Sequence, residues 1–198
     1  MNAPDLPAFT VAHRAMRTDI RRLAALGPGP FPPSRETAFR YYLGRVLTEI
    51  HHHHMLQEAL LWPVIARSAG AVIDLAPLTD DHAALDALLL AVRLRTGSAR
   101  TRLLTQLADL LEEHLLEEES LVFPILADYV PRADIEAAER KFRGAPTWSR
   151  LGFTAPWLLS HAEPAEREYL LGHAGLTTRV IVHLGTPGFI RLSDKVFA

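Results

Sequence analysis

Cysteine is absent from all 198 residues. That excludes disulfides, thiolate metal sites, iron–sulfur clusters and a cysteine nucleophile, and it fits a reducing compartment, so a cytoplasmic location is expected. An excess of charge of either sign is missing too: 21 Lys and Arg stand against 23 Asp and Glu, a formal balance of −2. Neither nucleic acid nor an anionic membrane would find a footprint on such a chain. Nowhere do about 18 apolar residues run unbroken, the length a membrane-spanning helix needs. Met1 to Thr10 has no basic stretch followed by an apolar one, so no secretory leader is expected.

What the chain does have is histidine, ten of them, four in a row. The run His51-His52-His53-His54 leads through Gln57 and Glu58 to Leu61-Trp62-Pro63. A second stretch, His114 through Glu117-Glu118-Glu119 to Val122-Phe123-Pro124, repeats it at an offset of 61. In that overlay His53 meets His114, Gln57 meets Glu118, Leu60 meets Leu121 and Pro63 meets Pro124, while Val46 and Ile50 fall on Leu107 and Leu111.

Apolar residues at three- and four-residue steps predict four amphipathic helices. The first carries His13, Met16, Ile20 and Leu23 on one face, opens near Thr10, and ends at Gly27-Pro28. The second starts near Ser34 and runs Phe39, Leu43, Val46, Ile50, His53, Gln57, Leu60, Val64, with Pro63 expected to kink or finish it. The third opens between Pro77 and Asp80 and shows Leu78, His82, Leu85, Leu89, Val92. The fourth, after Gly97-Ser98, shows Leu107, Leu111, His114, Glu118, Leu121, Ile125 and breaks near Pro131. Helices one and two relate to three and four, which implies two helical hairpins about a pseudo-two-fold axis. The expected architecture is all-α: an up-down-up-down four-helix bundle over residues 8–130, with a short-helix C-terminal extension over 131–198. Residues 1–9 are expected as a loose arm. Asp134 to Phe142 reads as a helix, and the glycines and prolines from Gly144 to Gly188 are expected to chop the rest into short pieces. Trp148, Phe153, Trp157 and Leu158 are expected to anchor that extension on the bundle or on a second copy of the chain, so a homodimer is one expected assembly.

Each predicted helix places one histidine in its apolar seam: His13, His53 or His54, His82 and His114. An imidazole in a seam costs free energy unless its nitrogens find partners, and four of them on facing helices point to a cation. Glu58, Asp86 and Glu118 each stand four residues after a histidine, one turn away, where a carboxylate can share the same ion. Imidazole and carboxylate without thiolate suit iron, manganese or zinc. His51 and His52 turn outward or sideways and read as solvated residues or as supports behind a ligand, and Glu112, Glu113, Glu117 and Glu119 read as solvated helix face. Asp86 can alternatively support His82 or Arg17 from behind, Tyr41 and Tyr42 read as packing, and His161, His173 and His183 as structural.

A lone histidine in helix one, His-x-x-x-Glu in helices two and four and a histidine in helix three resemble the hemerythrin-like (HHE cation-binding) family. The Trp62-Pro63 and Phe123-Pro124 endings, Asp81-His82 and Leu85-Asp86 carry the same resemblance, which covers about residues 8–130. It implies a di-iron site in a four-helix bundle that handles O2, peroxide or nitric oxide, as an oxidase, a peroxide scavenger or a sensor, with His13, His53, His82, His114 and Glu118 as ligands. Counted back from Pro63, the family's bridging glutamate falls on Gln57, a neutral amide that does not bridge two cations as a carboxylate does. Either the helix turns to use His54 and Glu58, or the site holds one metal or none. The seam favours His53 and the missing carboxylate favours His54. Reversible O2 carriers of the family have a histidine where this chain has Asp86, which favours turnover or sensing over carriage. The other expectations are a metal-depleted bundle serving as a regulatory partner and a DinB-like metal-dependent thiol transferase.

Overall fold

Gly27 ends the first helix for a stereochemical reason: its φ of 74° lies in the left-handed region, and its N–H closes on Ala24 O at 3.2 Å. That helix, α1 (Pro7–Ala25), leads through a proline-rich turn to α2 (Pro33–Leu56). A π-helical segment, Gln57–Leu61, joins α2 directly to α3 (Trp62–Ala69), and α4 (Ala76–Leu94) and α5 (Gly97–Asp128) follow. The C-terminal part holds α6 (Arg132–Arg143), α7 (Trp148–His161), α8 (Pro164–Gly172) and α9 (Leu176–Phe197). This computed structural model describes residues 7–143 and 148–198, and no strand occurs among them. Most of the expected N-terminal arm, the loop at Gly144 and Pro146, and the side chain of Trp148 lie outside the described residues.

The predicted helices form, with changed ends. α1 begins at Pro7, so Thr10 lies inside it, and α2 begins on Pro33 with no side-chain cap. Proline suits such a first turn because the N–H it lacks would have no partner there. Pro63 does not finish the second helix. The turn before it widens instead, with Trp62 N–H reaching the Gln57 carbonyl five residues back. A wider turn accommodates the missing donor and the bulk of the proline ring. Pro124, its counterpart in the repeat, sits inside α5 without such a segment.

Helix α1 packs on α2 and α5, and α4 packs on the same two, so the four helices form a ring of neighbours. Two apolar clusters fill it. One is built from Met16, Ile20, Val46, Ile50, Leu85, Leu89, Leu107, Leu111 and Leu115, the other from Phe9, Leu61, Trp62, Ile65, Leu78, Val122 and Leu126. On α1, α2 and α4 the seam histidine falls between residues of the two clusters, and on α5 His114 and Glu118 stand between Leu111 of the first and Val122 of the second. The polar layer is therefore enclosed at both ends by hydrocarbon.

The C-terminal part corrects the expectation of short pieces. α9 is 22 residues long and runs straight through Gly185, Pro187 and Gly188. A Cβ on Gly185 would stand 3.2 Å from Gly152 O and 3.4 Å from Gly152 Cα. The glycine thus serves the close approach of α9 to α7 and does not break the helix. Helix α7 packs on α1, and α9 on α2. Phe153, Trp157, Phe189 and Val196 thereby join the larger core cluster. The junction also holds a buried carboxylate. Asp19 accepts hydrogen bonds from Tyr42 OH, from Trp157 Nε1 at 2.8 Å and from Arg22 at 3.0 Å, with His161 Nε2 3.4 Å away. Burial alone would raise its pKa, but His161, Tyr42 and Trp157 outweigh burial and hold it below the usual carboxylate value.

Candidate metal centre

Helix α2 stands between α1 and α4, and successive residues on a helix point about 100° apart. His53 therefore faces α1 and His54 faces α4, and both are buried. Both residues that the sequence left as alternatives point into the bundle. His53, His13 and Glu118 offer ligand atoms that all lie within 4.8 Å of one another, and so do His54, His82 and His114.

Three of the imidazoles are oriented from behind by carboxylates. His13 Nδ1–H donates to Glu119 at 2.9 Å, His82 Nδ1–H to Glu58 at 2.8 Å, and His114 Nδ1–H to Asp81 at 3.3 Å. Such a partner fixes the tautomer with Nε2 as the free lone pair. Nε2 of His13 lies 3.0 Å from Nε2 of His53. Nε2 of His82 and His114, both nitrogens of His54, Oε1 of Gln57 and Oε2 of Glu118 are buried with no hydrogen-bond partner. Glu118 Oε2 is 3.7 Å from Nε2 of both His13 and His114, so this carboxylate stands between the two groups. Its other oxygen accepts from the Gln57 amide.

Burial governs the electrostatics. It pushes His53 and His54 well below the usual imidazole range, with repulsion from the neighbouring imidazoles adding to it. Burial and the nearby His82 bring His114 down to about 4. The same burial raises Glu118, against the pull of His13. Neutral imidazoles are the form that ligates, and a fully buried carboxylate with an unpartnered oxygen is costly unless a cation meets it. The donor set fits a cation on both counts. Aromatic rings close the centre: Phe9 lies edge-on to His53, Phe123 stacks on His13, and Trp62 stacks on His82 with 10° between the planes.

The expected residues do not all converge. Asp86 is drawn away from the centre to exposed His51, whose Nδ1 lies 2.8 Å from it, because His51 turns outward on α2. Glu58 is placed behind His82 instead of facing an ion. Glu119, expected as solvated face, is half-buried and bonds both His13 and Arg17. The repeat held the signal for it: Glu119 falls on Glu58 at the same offset that sets His114 on His53. Asp81 had no comparable signal beyond its place before His82.

Residues 6–126 match the family model of the Hemerythrin HHE cation binding domain. The chain belongs to this family. It is thus a member of a cation-binding class of helical domains. No curated protein and no solved structure matches it. Among the described residues no helix is long and apolar enough to cross a membrane.

Proposed function

We propose that this chain is a non-haem iron protein with two cation positions, reacting with O2, peroxide or nitric oxide as a scavenger, oxidase or sensor. The observation that carries this reading is the convergence of buried ligand atoms from α1, α2, α4 and α5 in two close groups, with nitrogens of His54, His82 and His114 and one oxygen of Glu118 left without a hydrogen-bond partner. His13, His53, His54, His82, His114 and Glu118 would hold the cations. Iron bound there would supply redox chemistry and an open coordination position. Four helices running alternately up and down over residues 8–130, with residues 131–198 as a cover, suit this reading, because short connections join antiparallel neighbours.

The chain's own residues support a small ligand. Phe9, Trp62 and Phe123 keep water from the layer, which strengthens every electrostatic interaction inside it. Glu119, Glu58 and Asp81 hold His13, His82 and His114 in one tautomer, so a ligand meets imidazoles already oriented. Gln57 can donate its amide N–H to an anionic oxygen in the layer, as it does to Glu118.

The test is metal content by mass spectrometry with an optical spectrum, on untagged protein grown with iron, followed by peroxide and nitric oxide titrations. Stoichiometric iron whose spectrum changes with either ligand is the expected result. A chain that takes up no metal even on anaerobic ferrous loading would overturn the proposal and leave a metal-depleted bundle acting through a partner.

A further inference from the structure

The two halves of the metal layer are related by the internal repeat and are not equal. The pseudo-two-fold carries α1 onto α4 and exchanges α2 with α5. His13, His53 and Glu118 then fall on His82, His114 and Gln57. The supporting carboxylates obey it as well, since Glu119 behind His13 falls on Glu58 behind His82. The symmetry fails at two buried places. Gln57 stands where the repeat has Glu118, and His54 stands where it has Leu115, which is fully buried in the apolar core. The half built on α4 has lost a carboxylate and gained an imidazole.

We propose that the chain therefore holds two unlike cations: iron(II) at His13, His53 and Glu118, and zinc(II) at His54, His82 and His114. This rests on the metal-binding reading above and adds the identity of each ion. Two imidazoles and one carboxylate with open positions suit non-haem iron(II), whereas three imidazoles with a fourth position left open suit zinc. Donor charge points the same way. Glu58 and Asp81 touch the outward nitrogens of His82 and His114, and Asp86 is held at His51, so none of the three faces an ion in that half. Glu118 is shared with the other half. Neutral donors favour a cation that stays divalent, and zinc binds imidazole more tightly than iron(II) does. His54 carries the distinction: it is 2% exposed, and neither of its nitrogens has a partner.

The experiment loads apoprotein anaerobically with one equivalent of zinc and then excess iron(II), removes unbound metal, and counts both by mass spectrometry. Zinc K-edge absorption counts the imidazoles on the zinc. Wild type should retain about one of each per chain, as expected for two separate sites. His54→Leu should lose zinc, with affinity down by more than about 100-fold since even a residue behind a ligand is worth 10–100-fold, and should keep iron. His53→Gln should do the reverse. Circular dichroism melts of both apo variants establish that they fold. Two irons per chain with zinc excluded, or both variants losing the two metals in the same proportion, would overturn the inequality while leaving metal binding intact. No retained metal of either kind in wild type would overturn both.

Discussion

Replacing His54 by leucine should stabilise the metal-free protein. Its imidazole is buried with two unpartnered nitrogens, and an unsatisfied buried polar group costs about 1–3 kcal/mol. Leucine removes both nitrogens and fills a similar volume, and a near-isosteric core swap costs less than about 1.5 kcal/mol. The repeat already places a fully buried leucine, Leu115, at the corresponding position of α5. A net gain of about 1 kcal/mol follows, which raises the melting temperature by about 2–4 °C for a chain of this size. Saturating zinc should reverse the order, because ligand at about 100 times its dissociation constant adds about 2.7 kcal/mol to the wild type alone. Thermal melts of wild type and His54→Leu, with chelator and with zinc, read both limbs. A variant less stable than wild type in chelator would refute the claim that these nitrogens stand unsatisfied. Parallel zinc shifts in the two proteins would refute the role given to His54.

The orienting carboxylates offer a paired experiment: Glu119→Gln should weaken cation binding at the His13 half by about 10–100-fold and Glu58→Gln at the His82 half, read by competition with a chromophoric chelator. Asp19→Ala leaves Tyr42, Trp157, Arg22 and His161 without their shared acceptor and should cost about 3–5 kcal/mol in urea unfolding. Because the folded pKa of Asp19 lies below its unfolded value, its contribution is complete above about pH 4 and is lost as pH falls through the folded value. Asp19→Asn should therefore flatten the acid limb of stability against pH, and an unchanged limb would count against that assignment. Gly185→Val drives side-chain atoms into the Gly152 backbone and should cost about 1–3 kcal/mol, seen as a lower melting temperature with metal stoichiometry retained.

By itself the sequence determined the helices of the bundle, because apolar spacing repeats with the helical period, whereas several of their ends moved where the expected cap at Thr10 and the expected stop at Pro63 did not act as such. It marked the histidine layer too, since histidines in apolar seams on four helices point to a cation. Spacing along one helix could not decide between His53 and His54, which differ by one step in direction and nothing else. Only the placement of α2 between α1 and α4 lets both point inward, towards different partners. The same limit hid Glu119 and misdirected Asp86: which carboxylate stands behind which imidazole depends on how neighbouring helices are set against one another. In α9 the sequence showed Gly185 and Pro187 as breakers. Packing against Gly152 turned the glycine into a point of close approach, so a long helix survives where local propensity alone would end it.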